Sequence, residues 1–262
     1  MSVQDIKVQS VNVHRNNKRT HAILEMSNDT DILLIQEPWW GTIATQRLDS
    51  DPNGTHQYGP PIHGKWDLHL PKHNGEEKCK VIAYTKKRLT SRIMNNLRLP
   101  HTNPSTLILD IQDDDEIIMR LINVYHDAPR RGHSLTHIFQ APIEELIPTM
   151  WIGDFNSHGP RWSLPNRSPS TWNNTFEDWM DNTGLTLLNP PGVATWVSAR
   201  DDTRPSILDL ALANEAAAYS NQLSKLDVSM ADSLRSDHAM LTLHVYPLDS
   251  LALIPLPQPK GY

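Results

Sequence analysis

The stretch Trp151-Ile152-Gly153-Asp154-Phe155-Asn156-Ser157-His158 constrains the fold more than any other part of the chain. It reads as a buried strand ending in a loop that aims an acid and an amide at one spot. The pattern recurs. Asp31-Ile32-Leu33-Leu34-Ile35 runs into Gln36-Glu37-Pro38-Trp39-Trp40-Gly41, where Pro and Gly stop the strand and leave Glu37 at its end. Asn12 lies within the alternating run Lys7 to Val13, and Asn123 and Tyr125 close the run that starts at Glu116. Asp209 interrupts Ile207 to Ala213, and Asp237-His238 precede Ala239 to Val245. In stacked sheets, strand ends on one edge converge, so residues far apart in sequence share a cleft. A charge inside an apolar strand needs a partner or a metal.

Between these runs the chain carries helix and turn signals. Asn16 to Met26 is a short helix with Ala22, Ile23 and Met26 on one face. Asn173 to Thr183 is another, with Phe176, Trp179 and Met180 at core spacing and Gly184 at its end. Ser134 to Leu146 is a third, starting at a Ser N-cap. Val81 to Tyr84, Ser105 to Ile111 and Glu116 to Tyr125 read as strands, with Asp113-Asp114-Asp115 as a solvated hairpin turn. Such hairpins argue for a mixed or antiparallel sheet. Leu185 to Leu188 and Ala194 to Val197 are short strands. Asp49 to Glu77, rich in Gly, Pro and His, reads as a long surface loop. From Pro247 the chain is Pro- and Leu-rich, so one domain over 1–246 and a tail or linker over 247–262 are expected.

At 262 residues the chain can bury a sizeable core without disulfide staples, and its single cysteine, Cys79, allows no internal one. A reducing, intracellular setting is therefore expected. There is no apolar signal run and no stretch long enough to span a bilayer, so no membrane partner is expected. The net charge of −6 speaks against a non-specific nucleic-acid binder. It does not speak against an enzyme whose acids gather at a metal.

Taken singly, most of these polar residues have a plain explanation. Glu37 reads as a surface loop acid, Asp154 and Asn156 as turn formers, Tyr125 as core-edge packing, and His238 as a satisfied polar side chain. Cys79 reads as a small buried apolar residue. Asp209 is harder to dismiss, because an acid inside Leu208-Asp209-Leu210-Ala211-Leu212 calls for a partner. The ordered set carries the meaning.

That set resembles the exonuclease–endonuclease–phosphatase superfamily, which includes pancreatic deoxyribonuclease and abasic-site endonucleases. The matching pieces are Val11-Asn12-Val13, Ile35-Gln36-Glu37-Pro38, Asn123-Val124-Tyr125, Gly153-Asp154-Phe155-Asn156, Ser206 to Leu210 and Ser236-Asp237-His238. Gln36-Glu37-Pro38-Trp39, Ser157-His158 and Gly192 to Trp196 are similar to one branch, the endonuclease domains of non-LTR retrotransposons.

The resemblance implies a deoxyribonuclease-like four-layer α/β sandwich with two packed mixed β-sheets. It implies a metal-dependent endonuclease that nicks DNA and leaves a 3′-hydroxyl. Glu37, Asn12 and Asp237 would lie at the metal, Mg²⁺ or alternatively Mn²⁺. Asp154 would handle the attacking water, and Asn156 and Tyr125 the phosphate, with Asn123 supporting Tyr125's loop. His238 would donate to the phosphate and Asp209 would orient His238. Either Asp154 or His238 can take the water's proton. Residue 14 is His where several repair-type relatives carry an acid, so a second acidic ligand is not expected there.

Such domains normally precede a reverse transcriptase, and none follows His238 here. The chain thus reads as an excised domain or a truncated element, acting on DNA in the nucleus. The rival readings are a phosphoesterase of the same superfamily acting on a phospholipid or inositol phosphate, and a non-catalytic relic. Trp39, Trp40, Trp162 and Trp172 fit either base stacking or simple packing, and Arg130, Arg131, Arg161 and Arg167 fit phosphate contacts or solvated charge. His158 has no assigned chemistry.

Overall fold

Every residue of the strand Ile32–Gln36 is buried, and its side chains divide between two cores. Ile32 and Leu34 join one cluster, Leu33 and Ile35 another. A strand covered on both faces is apolar wherever no partner waits for a polar group, which is why Ile32 to Ile35 lack polar alternation.

The computed structural model describes residues 5–48, 51–72, 78–96, 103–113, 116–127, 144–164, 168–170, 173–198 and 205–246. The first half contains β1 (Ile6–Asn12), α1 (Asn17–Met26), β2 (Ile32–Gln36), β3 (Gly41–Leu48), β4 (Asp51–Gly59), β5 (Trp66–His69), β6 (Val81–Lys86), β7 (Ile93–Asn95), β8 (Thr106–Asp113) and β9 (Glu116–Tyr125). The second half contains β10 (Thr149–Asp154), α2 (Asn173–Asn182), β11 (Thr186–Leu187), β12 (Asp209–Ala213), α3 (Glu215–Ala218), β13 (Asp227–Ser229) and β14 (Met240–Val245).

The strands form two six-stranded sheets, ordered β13-β14-β1-β2-β6-β5 and β11-β12-β10-β9-β8-β7. Both are mixed: β1–β2 and β9–β10 are parallel, and their other pairings are antiparallel. Val8, Ile32, Leu34 and Ala83 of the first sheet meet Leu109, Leu121, Ile152 and Ala211 of the second in the central core. On the outside of the first sheet, Ile23 and Leu24 of α1 cover Val11, Leu33, Ile35 and Tyr84. On the outside of the second, Phe176 and Met180 of α2 cover Ile122, Val124, Trp151 and Leu212. Helix, sheet, sheet and helix make the four-layer sandwich that the resemblance implies.

Two local expectations change: the loop over 49–77, and the strand over Ala194 to Val197, where only Trp196 makes isolated bridges, to Ser206 and His238. The supposed loop 49–77 contains β4 and β5, and β3–β4 form a separate two-stranded ribbon. Pro52 and Gly54, which argue against a strand, fall inside β4, and such a ribbon tolerates them because its outer edges carry no hydrogen-bond ladder. β5 closes the first sheet at its edge, pairing Trp66 with Lys86. The turn residues Asp114 and Asp115, residues 134–143 of the expected third helix and the tail 247–262 lie outside the described residues. Among the described residues, no helix is long and apolar enough to cross a membrane.

Candidate active site

The inward-facing positions of five strands start apolar and turn polar at one common edge. On β1 they run Ile6, Val8, then Ser10 and Asn12; on β2 Ile32, Leu34, then Gln36. On β9 Leu121 gives way to Asn123, and on β10 Ile152 gives way to Asp154. β12 runs antiparallel to β10, so its polar residue comes first: Asp209, then Ala211 and Ala213. Register therefore delivers Asp154 opposite Asp209 on one side and opposite Tyr125 on the other. The period of two along a strand places every one of these groups in the gap between the sheets.

A buried amide pair ties the sheets together behind the site. Gln36 Nε2 donates to Asn123 Oδ1 at 2.6 Å and to Ser10 Oγ at 2.9 Å. Asn123 Nδ2 donates to the backbone oxygens of Ile82 at 2.9 Å and Ile35 at 3.3 Å, in the opposite sheet. Next comes Asp154. Its Oδ2 accepts from Asn12 Nδ2 at 2.9 Å and its Oδ1 from the Asn156 backbone N–H at 2.9 Å. Gly153 before it has φ +147°, and a Cβ there would lie 2.0 Å from the Val124 carbonyl oxygen, so only glycine fits. Asn156 has φ +45°, and its side-chain amide donates to the His126 carbonyl at 2.8 Å.

His238 lies between two acids. Its Nδ1 is 3.0 Å from Asp209 Oδ2 and its Nε2 is 3.9 Å from Asp154 Oδ2. With Asp209 accepting at Nδ1–H, the ring is fixed and Nε2 faces the cleft. Burial opposes charge on His238, but the carboxylates of Asp209, Asp154 and Asp237 outweigh it and raise its pKa to about 10. Burial pushes Asp154 up to about 7; the charge on His238 opposes this and the charge on Asp209 adds to it. Tyr125 is raised by burial and then by Glu37, Asp154 and Asp127, so its phenol stays protonated.

Glu37 follows β2 with φ +44°, a conformation that costs a non-glycine residue strain and recurs at functional sites. Its Oε1 accepts from Asn12 Nδ2 at 3.2 Å and its Oε2 from Arg15 Nε at 3.0 Å. Asp237 receives the Trp196 indole N–H at 3.3 Å and has His14 Nδ1 at 3.5 Å. Glu37, Tyr125, Asp154, Asn156, Asp237 and His238 line one cleft of about 430 Å³. Asn12 bonds to two of these residues and Asp209 to a third, so all eight residues singled out in the sequence come together.

Two groups can be weighed as a metal site. Asp154, Asp209 and His238 offer ligand atoms within 4.8 Å of one another. His238 Nδ1 is engaged by Asp209, however, and this arrangement reads better as a hydrogen-bonded dyad beside an acid. Glu37, Asn12 and Asp237 offer oxygen donors of the kind a hard divalent cation takes. They do so in a cleft lined by four carboxylates, those of Glu37, Asp127, Asp154 and Asp237, whose mutual repulsion a cation relieves.

Sequence reasoning gave no role to two supporting hydroxyls. Thr195 Oγ1 accepts from the N–H groups of Leu208 and Asp209, each at 2.9 Å, and so holds the start of β12. Ser236 Oγ donates to the Asn12 carbonyl at 2.7 Å and accepts from His238 N–H at 3.3 Å. A hydroxyl in a short strand or loop gives no sequence signal of this kind. Asp127 and Trp196 also line the cleft. By contrast, Trp162 is packed against Phe176 with its indole N–H on the Ser157 carbonyl, and Trp40 packs against the α1-side core. Arg161 is paired with Asp181 at 2.7 Å. Trp172, Arg130, Arg131 and Arg167 lie outside the described residues.

The chain belongs to the Endonuclease/Exonuclease/phosphatase family, whose model matches residues 8–238. Among solved structures it is similar to the endonuclease domain of TRAS1, a telomere-specific non-LTR retrotransposon. That match has a TM-score of 0.67 and 16% identity and covers 92% of this chain and 98% of that one. It is similar to the AP endonuclease LMAP from Leishmania major, with TM-score 0.58, 14% identity and coverage of 93% and 88%. It is also similar to the APE2 catalytic domain of Xenopus laevis, with TM-score 0.58, 14% identity and coverage of 92% and 94%. At these identities the likeness is one of fold. No curated protein matches the chain by sequence.

Proposed function

We propose that this protein is a metal-dependent DNA endonuclease that hydrolyses one strand and leaves a 3′-hydroxyl, as in target-site nicking by a non-LTR retrotransposon. The observation that carries the reading is the His238–Asp209 pair facing Asp154 across 3.9 Å, in the cleft that also holds Glu37 and Asn12. The likeness to the TRAS1 endonuclease domain, over nearly all of both chains, supports this choice within the family.

The chemistry follows from charge. A phosphodiester is anionic and repels nucleophiles, so catalysis needs donors aimed at the phosphate and an activated water in line with the leaving oxygen. Asp154, buried and raised toward neutrality, takes the proton of the attacking water. His238, positively charged between two acids, donates Nε2–H to a phosphate oxygen while Asp209 holds its ring. The protonated Tyr125 phenol and the Asn156 amide face the same cleft and donate to the phosphate. Water adds to phosphorus, the bond to O3′ breaks, the leaving O3′ takes a proton from solvent, and the products are a 3′-hydroxyl and a 5′-phosphate. Glu37, Asn12 and Asp237 would hold Mg²⁺, or Mn²⁺ in its place, and such an ion would supply positive charge to the phosphate. A nuclear site of action and a reverse transcriptase domain in a longer parent protein belong to the same reading.

The test is conversion of supercoiled plasmid to nicked circles with Mg²⁺ or with EDTA, for the wild type, Asp154→Ala and His238→Ala. Metal-dependent nicking by the wild type, lost in both variants, is expected. Nicking that survives both substitutions sinks the site. No nicking, with phosphate released from an inositol phosphate or phospholipid, replaces the substrate.

A further inference from the structure

Two turns that carry candidate site residues are fastened by one guanidinium. The first follows β1: Asn12 and Val13 lead into His14 (φ +50°) and Arg15 (φ +53°). The second precedes β14: Leu234 (φ +52°) and Arg235 (φ +63°) lead into Ser236, Asp237 and His238. Two adjacent left-handed, non-glycine residues on each side are unfavourable alone and need outside support. Arg19, in the first turn of α1, provides it. Its Nη1 donates to the Val13 carbonyl at 2.8 Å, its Nη2 to the Arg235 carbonyl at 2.6 Å and its Nε to the Leu234 carbonyl at 3.4 Å. The helix cap fixes Arg19 in turn, since its backbone N–H donates to Asn16 Oδ1 at 3.0 Å. Ser236 Oγ, on the Asn12 carbonyl at 2.7 Å, is the second stitch between the two turns.

We infer that Arg19 is a positioning residue that sets Asn12 and Glu37 on one side of the cleft against Asp237 and His238 on the other. It acts by clamping the two turns through three backbone carbonyls. A planar fork with five donors reaches three carbonyls on two segments; a lysine ammonium is a point charge and does not hold that geometry. Burial lowers the Arg19 pKa and Asp237 nearby opposes this, as expected for a cation drawn into the fold beside a site acid.

The inference rests on the nuclease reading for its catalytic consequence, but its structural half is measurable without activity. Hydrogen–deuterium exchange is compared in the wild type, Arg19→Ala and Arg19→Lys. In Arg19→Ala, amides of segments 12–18 and 232–240 are expected to exchange at least tenfold faster together, while those of β6 and β9 stay as in the wild type. In nicking assays, kcat per folded molecule is expected to fall about 10–100-fold, with KM for DNA within about twofold and a higher Mg²⁺ concentration needed for half-maximal rate. Millimolar guanidinium should restore part of the Arg19→Ala rate and none of the His238→Ala rate. Arg19→Lys should recover less than a tenth. Unchanged exchange, faster exchange of only one segment, or wild-type turnover in Arg19→Lys overturns the inference. A wild type without nicking overturns the proposed function, and the exchange data then still decide the clamp.

Discussion

Asp154 and Asp209 are register partners on adjacent antiparallel strands, and His238 bridges them, 3.0 Å from Asp209 and 3.9 Å from Asp154. Two like charges on neighbouring strands are tolerated because a cationic ring stands between them. The pH dependence of the reaction follows from this triangle. With Asp154 near 7 and His238 near 10, the rate should rise as pH passes about 7 and fall as it nears 10. Asp209→Asn removes the charge that raises both groups, so both limbs of the profile should move to lower pH. Loss of ring orientation should cost roughly 10²–10⁴ in kcat as well. An alkaline limb that stays in place in Asp209→Asn would contradict the assignment of His238 as the protonated donor.

Removing the cation should abolish nicking without unfolding the protein. Glu37→Gln keeps the shape of the side chain and its contact with Asn12 while removing one of the two carboxylates placed at the cation. Calorimetric titration with Mn²⁺ should show at least tenfold weaker binding in Glu37→Gln than in the wild type. Equal affinity would move the metal to the Asp154, Asp209 and His238 cluster.

Gly153→Ala tests the backbone beneath Asp154. The added Cβ meets the Val124 carbonyl at 2.0 Å at a positive φ, so β9 and β10 must separate. A loss of at least ~2 kcal/mol in urea unfolding is expected, within the range for overpacked or strained core positions. A change below ~0.5 kcal/mol would show that the strands adjust freely.

Cys79 reports on opening of the first sheet. It is 3% exposed in the α1-side core, and burial pushes its thiol up to about 12. In the native protein at pH 8 it should resist a thiol reagent for hours and react within seconds in denaturant. Rapid native labelling would mean that α1 lifts readily from the sheet.

Much of the fold and the candidate site was legible in the sequence because strands sort side chains by parity. Runs such as Asp31–Ile35 announce a doubly covered strand, and a polar residue at the inner parity of its end announces an edge where sheets part. Asp209 stood out because its neighbours on both sides are apolar. The rest depends on contacts between distant segments. Thr195, Ser236 and Arg19 act through backbone groups up to 224 residues away, and nothing in their local sequence shows which groups they hold. The β3–β4 ribbon was hidden by Pro52 and Gly54, whose veto on a strand applies to interior ladders and not to a two-stranded ribbon. Trp162 looked like a loop aromatic and is core, because the chain after Asp154 folds back under α2.

Because the inner-face polar residues come from five strands at matching parity, a one-residue slip in any of them turns its contribution to the opposite face. Assembly of the candidate site is thus an all-or-none property of correct pairing. A chain caught midway through folding, with β12 or β1 not yet in register, has its acids but no dyad and no cleft. A site built this way does not exist in part: it is complete only when both sheets have paired in register.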